Sequence, residues 1–132
     1  MLELLVVLAI MVLLAGAWPF AAPRLFPTQQ LRNESQKMIA ALRSARMTAR
    51  LSGLPQTIDL LRGGNAYQTA SESHQLPVGV FAHMHGDAAA PPNGVMFFSD
   101  GSSTGGVIDL ELSNRRVSIE VGKITGRAEL VE

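Results

Sequence analysis

The sequence has no cysteine and no net charge, and each absence argues against a class of protein. Without cysteine the chain can form neither a disulfide scaffold nor a thiolate metal site. Its eleven basic and eleven acidic residues cancel, so the overall charge does not favour a polyanionic partner. The length of 132 residues allows one compact domain together with an anchoring segment.

Motifs of catalysis and of metal or phosphate binding are missing as well. No Gly-x-Ser-x-Gly elbow is present, and the scattered acids form no recognisable set of nucleophile, base and orienting group. The segment SDGSSTGG supplies one carboxylate, Asp100, which is too few for a calcium site, and no lysine follows its glycines as in a Walker loop. His83 and His85 would share a strand face, but they lack a clear third metal ligand. We therefore predict no enzyme, no cofactor and no metal.

The most hydrophobic stretch, MLELLVVLAIMVLLAGAWPF, begins the sequence. The run from Leu4 to Trp18 has no charged residue, and flanking apolar residues bring it closer to the roughly 20 residues that a membrane-spanning helix needs. We predict a transmembrane and assembly helix over residues 1–26, with a kink or an end at Pro19, which lacks a backbone donor. The residues assigned to the membrane anchor are Leu4, Leu5, Val6, Val7, Leu8, Ile10, Val12, Leu13, Leu14 and Trp18.

A cleaved secretory signal is the alternative for this segment, because Ala15, Gly16 and Ala17 resemble a cleavage site. The absence of a basic region before the apolar run argues against it. One acid, Glu3, stands near the tip of the run, although an ionised carboxylate at the centre of a membrane costs about 2.5–3.5 kcal/mol. Without a cationic partner, Glu3 is expected among the lipid headgroups.

The remaining residues, 27–132, are predicted to form a second domain, within which the periodicity changes once. An amphipathic helix is predicted over about 28–52, because apolar and small residues recur there at helical spacing. This stripe consists of Leu31, Ser35, Met38, Ile39, Leu42, Ala45 and Ala49. After Gly53 the period becomes two, which predicts antiparallel strands over about 55–131. The expected fold class is α+β, with a long N-terminal helix, its first half membrane-anchoring, packed on a small antiparallel sheet.

Basic residues are concentrated on the second predicted helix. Arg43, Arg46 and Arg50 share one face, and Arg127 lies near the end of the sequence. These four arginines form a candidate basic contact face. A solvated helix surface is the simplest interpretation of the three helical arginines, and subunits, lipid headgroups or nucleic acid are the partners left open.

Several segments resemble a known family. LELLVVLAIMVLLAGAWP resembles the N-terminal helix of type IV pilins and type II secretion pseudopilins, and Glu3 matches their glutamate. LRSARMTARLSGLP, FFSDGSSTGG and ITGRAEL resemble motifs of the H-type minor pseudopilins, a family that includes related minor pilins of type IV pili. Family members carry a glycine cleavage site and then Phe-Thr ahead of the helix. These residues are missing before Met1, and we expect a start further upstream or a truncated chain.

The resemblance implies a structural function at the inner membrane. It implies a single-pass minor pseudopilin whose C-terminal domain lies in the periplasm and which joins a pseudopilus that helps to export folded proteins. The implied partners are other major and minor pseudopilins, the inner membrane and secreted exoproteins. In this family the carboxylate that matches Glu3 is thought to pair with the N-terminal amine of a neighbouring subunit. The alternative is a type IV minor pilin that captures DNA, and the weak basic footprint around Arg127 makes nucleic acid the less favoured partner.

Overall fold

The computed structural model of the chain describes residues 1–25, 27–86 and 91–131, and for residues 17–25 and 27 it describes the backbone alone. Two helices come first, α1 (Leu2–Leu25) and α2 (Pro27–Ser52). The strands that follow are β1 (Gln56–Leu60), β2 (Ala66–Gln68), β3 (Ser73–Gln75), β4 (Val80–His85), β5 (Gly94–Phe97), β6 (Gly106–Leu112), β7 (Arg115–Val121) and β8 (Ala128–Val131).

Helix α1 continues through Pro19 and Pro23 to Leu25. Of the two outcomes expected at Pro19, an end of the helix is therefore wrong. A proline inside a helix costs about 3 kcal/mol, and the chain can bear this penalty without leaving the helical conformation. Helix α2 is described from Pro27 onward. The side chain of Trp18 lies outside the described residues.

Helix α2 buries the stripe that its periodicity predicts. Leu31, Met38 and Leu42 are fully buried, and Ser35 is buried among them. The helix ends at Gly53, which adopts a left-handed φ of 72° and donates its N–H to the carbonyl of Ala49 at 3.0 Å. A glycine in this conformation satisfies the last carbonyls of a helix without a steric penalty.

The strands form two four-stranded antiparallel sheets, where the sequence predicted one small sheet. The first sheet has the order β3-β2-β1-β5, and the second has the order β4-β6-β7-β8. The chain changes sheet three times, since β4 belongs to the second sheet, β5 returns to pair with β1 in the first, and β6 pairs with β4 in the second. Strand β3 has only three residues, so alternation could not predict it. Part of the predicted loop GDAAAPPNG, residues 87–90, lies outside the described residues.

The hydrophobic core lies between α2 and both sheets. Ile108 and Leu110 point inward from β6, and Val117, Ile119 and Val121 point inward from β7, as the alternation predicts. Helix α2 contacts β1 and β5 of one sheet and β6, β7 and β8 of the other. The described members of this core all come from α2 or from the residues that follow it. The α+β fold class is thus confirmed, with a helix that joins two sheets.

Candidate functional site

The first candidate surface is the apolar part of α1. Every described side chain of this helix is exposed, with Leu4 at 70% and Leu13 at 73% exposure. The predicted anchor residues among them are Leu4, Leu5, Val6, Val7, Leu8, Ile10, Val12, Leu13 and Leu14. An apolar surface of this extent marks a site of contact with other chains or with lipid.

Hydropathy gives a separate result for the helices. Among the residues that the structure describes, no helix combines the length and the apolar character needed to cross a membrane.

Glu3 occupies the first turn of α1. An acid is favoured there by about 0.3–1 kcal/mol, because the helix dipole places partial positive charge at the N-terminus. The position suits a carboxylate that pairs with a cation at the end of the helix. A helix N-terminus alone, however, does not identify a ligand.

The second candidate surface is a groove between α2 and the β7–β8 turn, and it gathers the four predicted arginines. The groove has a volume of about 670 Å³. It is lined by Arg43, Arg46, Met47, Arg50, Leu51, Gly126, Arg127 and Ala128. Helical spacing alone predicted that the first three arginines share a face, whereas only the fold brings Arg127 to the same place.

Two turns position this groove, and they contain residues of the segments FFSDGSSTGG and ITGRAEL noted in the sequence. In the Phe98–Ser102 turn, the backbone N–H of Phe98 donates to the carbonyl of Ser102 at 2.9 Å. Asp100 closes the turn by accepting hydrogen bonds from the hydroxyl and the backbone N–H of Ser102, and these bonds lower the pKa of Asp100. The turn ends in Ser103, whose hydroxyl donates to the carbonyl of Gly122 at 2.7 Å. The first turn is thereby tied to the β7–β8 turn.

Arg46 joins both turns to α2. Its Nε donates to the carbonyl oxygen of Gly101 at 2.9 Å, and it is partly buried. Gly126 packs so closely here that an added Cβ would lie 2.1 Å from the Gly101 oxygen and 3.0 Å from the Nε of Arg46. Arg46 therefore serves the structure, and it is less available to a ligand than the exposed Arg43 and Arg50.

Arg127 forms an ion pair at the rim of the groove. Its guanidinium lies 3.1 Å from the carboxylate of Glu129, and both side chains are mostly exposed. Such a surface pair contributes at most about 1 kcal/mol and exchanges readily with other carboxylates. The pair thus shows that the rim can hold a carboxylate next to the arginines.

The outer face of the second sheet carries an ionic network that the sequence did not reveal. His83 and His85 do share the exposed face of β4, as predicted. His85 Nε2 lies 3.2 Å from Asp109, and Arg116 lies 2.6 Å from Glu111. The register of β4, β6 and β7 brings these residues together. No group of three metal-ligating side chains occurs in the described part of the chain.

A buried acid on α2 was also missed, because Glu34 follows no apolar pattern. Its carboxylate is nearly buried and accepts a hydrogen bond from Lys37 Nζ at 3.0 Å. Burial and the nearby charge of Glu34 raise the pKa of Tyr67, whose ring stacks on His74.

Comparison with known proteins gives one relative and a consistent fold. No family model matches the sequence. The type II secretion system protein H of Xanthomonas campestris pv. campestris is 29% identical over 131 residues, which covers 96% of this chain and 78% of the relative. The similarity extends over both helices and both sheets, and it is therefore not confined to the apolar segment.

Two solved structures share the architecture. The minor pseudopilin EpsH from the type 2 secretion system of Vibrio cholerae has a TM-score of 0.63 and 13% identity, over 77% of this chain and 96% of EpsH. The type IV minor pilin FimU of Pseudomonas aeruginosa has a TM-score of 0.65 and 16% identity, over 82% of this chain and 92% of FimU. At these identities the likeness shows the fold alone. The chain therefore has the same fold as these two proteins, and its sequence is similar to that of the type II secretion system protein H.

Proposed function

We propose that the protein is a minor pseudopilin, a structural subunit of a type II secretion pseudopilus that helps to export folded proteins across the outer membrane. The observation that carries the proposal is the exposed apolar helix, with one acid in its first turn, attached to a pilin-like domain. The described core of that domain takes no residue from α1, so the exposed apolar side chains of residues 4–14 are left for contact with other chains or lipid. The similarity to a type II secretion protein along almost the whole sequence supports secretion.

The proposed location follows from the same helix. Before assembly, α1 rests in the inner membrane as a single pass, and the domain of residues 27–132 lies in the periplasm. After assembly the protein is part of the periplasmic pseudopilus. The charge-free run that starts at Leu4 supports this arrangement, since lipid and neighbouring apolar helices both accept it. The proposed partners are other major and minor pseudopilins, with secreted exoproteins as further contacts, and the proposed role is structural and not enzymatic.

Glu3 is the proposed assembly residue. In a packed filament the carboxylate would pair with the N-terminal amine of a neighbouring subunit, because a paired charge avoids the cost of isolation in a low dielectric. The pairing would also fix the stagger between adjacent helices.

Substitution of Glu3 tests this function. Glu3→Ala and Glu3→Gln, in a chain with a family-type leader, should leave membrane fractionation intact and reduce both crosslinking to other pseudopilins and exoprotein secretion. Glu120→Gln is the matched control, because it removes an exposed acid of β7 far along the sequence. Wild-type crosslinking and secretion in both Glu3 variants, at matched protein levels, would contradict the pairing role.

Capture of nucleic acid is the less supported alternative. The described residues that line the basic groove include no aromatic side chain on which a base could stack. A carboxylate, Glu129, already pairs with Arg127 at its rim. The whole chain is neutral, so its net charge does not draw DNA toward it.

A further inference from the structure

We propose that the groove between α2 and the β7–β8 turn binds an acidic segment of another protein chain that also carries apolar side chains. The groove is formed by residues 43–51 and 126–128, whereas the assembly helix is α1. The proposal is therefore independent of filament assembly through Glu3, and the two can fail separately.

Charge provides the first argument. Four guanidinium groups meet in the groove, and two of them are already engaged, Arg46 with the Gly101 carbonyl and Arg127 with Glu129. Within the described ranges, Arg43 and Arg50 have no hydrogen bond or ion pair. Neighbouring cations repel one another, and carboxylates between them relieve the repulsion. The planar guanidinium matches a carboxylate through two parallel hydrogen bonds, so an acidic ligand gains both energy and orientation.

Apolar exposure provides the second argument. Met47 is 63% exposed and Leu51 is 82% exposed, and both line the same groove. Their spacing of four residues places them on one side of α2, in the same row as Arg43 and next to Arg50. A flexible methionine adapts to apolar partners of different shapes. The groove therefore offers arginines and an apolar strip side by side, which fits a segment that alternates acids with aliphatic residues.

Size and composition favour a protein segment over nucleic acid. A volume of about 670 Å³ accommodates a few side chains and is within the range of about 300–1,000 Å³ typical of small binding sites. Nucleic-acid surfaces instead combine extended basic tracks with aromatic platforms, and the described lining has neither. The Arg127–Glu129 pair shows that a carboxylate is accepted at the rim.

The test uses the full chain in a non-ionic detergent and fluorescently labelled synthetic peptides. The main probe alternates glutamate with leucine, and two matched probes replace either every glutamate by glutamine or every leucine by glycine. We expect the main probe to bind and each matched probe to bind roughly tenfold more weakly, because each loses one of the two complementary features. Raising the salt concentration should weaken binding of the main probe only in part, since the apolar contacts persist.

Variants of the groove locate the site. The double substitution Arg43→Gln with Arg50→Gln should lower the affinity for the main probe at least roughly tenfold. Leu51→Ser should lower it as well, and Arg115→Gln, which removes an exposed arginine at the start of β7, should leave it unchanged. Circular dichroism of each variant checks that the fold is intact, which is expected because the substituted side chains are exposed.

Several results would overturn the proposal. Equal losses in the groove variant and in Arg115→Gln would mean general charge attraction without a site. Tighter binding of a single-stranded oligonucleotide, lost in the same groove variant, would assign the groove to nucleic acid. Absence of binding by the main probe at physiological salt would mean that the groove takes no acidic segment.

Discussion

Arg46 on α2 donates a hydrogen bond from Nε to the carbonyl oxygen of Gly101, 55 residues later in the sequence, at 2.9 Å. Gly126 in the β7–β8 turn packs against both Arg46 and Gly101. The Phe98–Ser102 turn and the β7–β8 turn therefore contact α2 at the same place. The bond is therefore the place where α2, the Phe98–Ser102 turn and the β7–β8 turn are held together. Loss of this hydrogen bond should make the groove less rigid and leave the packing of the central core unchanged.

Replacing Arg46 by alanine should lower the free energy of unfolding by about 1–2 kcal/mol, because the Gly101 carbonyl loses a charged donor in a partly buried site. Urea unfolding of the full chain in detergent measures the change. Arg43→Ala is the matched control and should stay within about 0.5 kcal/mol of wild type, since Arg43 is exposed. Equal effects of the two substitutions would show that the bond to Gly101 adds nothing to stability.

Substituting Gly126 by alanine should be more harmful than the same change at Gly53. Both glycines have a left-handed φ, 64° and 72° respectively, so each substitution carries about 1 kcal/mol of backbone strain. At Gly53 nothing lies within 4 Å of the added Cβ, whereas at Gly126 the Gly101 oxygen would be 2.1 Å away. We expect Gly126→Ala to be less stable than Gly53→Ala by at least about 2 kcal/mol in urea unfolding. Similar stabilities of the two variants would contradict the close packing of the turns.

Tyr67 should ionise at a higher pH than a free tyrosine, because burial, and then the charge of Glu34, raise its pKa. Since the chain has a single tyrosine, the ultraviolet absorbance of tyrosinate reports it directly. Above the unfolded pKa of about 10 the unfolded chain has lost a proton that the folded chain retains, so stability should fall as pH rises through that region. Glu34→Gln should lower the pKa of Tyr67 only part of the way, since burial is the larger cause. An ordinary tyrosine titration in the folded protein would contradict the burial of this ring.

Removal of residues 1–27 should leave a soluble, folded and monomeric domain. The described core begins at Leu31, and the described side chains of α1 are exposed, so the deletion removes apolar surface and few packing contacts. Circular dichroism and cooperative thermal unfolding check the fold, and sedimentation checks the monomer. As a control, Leu42→Ala in the same fragment should cost about 2–5 kcal/mol, since Leu42 is fully buried. A non-cooperative fragment would mean that the domain boundary lies before residue 28.

Local pattern accounts for the parts of the fold that were predicted correctly. The stripe of α2 is visible in the sequence because a helix must bury one face every 3.6 residues, and Leu31, Met38 and Leu42 are spaced accordingly. Strand β7 is visible because alternate residues face the core and the solvent. Strand β6 is visible because apolar and acidic residues alternate in its sequence, although the acidic Asp109 is itself buried. The short strand β3 and the continuation of α1 through Pro19 were not predicted, since neither produces a periodic pattern in the sequence.

The sequence by itself determined the α+β class, the apolar N-terminal segment with Glu3, the arginine face of α2 and the motifs that indicate a pilin-like protein. Each of these depends on residues close together along the chain, and spacing is enough to interpret them. Only the tertiary structure decided the division into two sheets, the approach of Arg127 to the arginines of α2 and the pairing of His85 with Asp109. These relationships join residues that are distant in sequence, and the register of strand pairing and the packing of turns on α2 place them, neither of which is encoded in local periodicity.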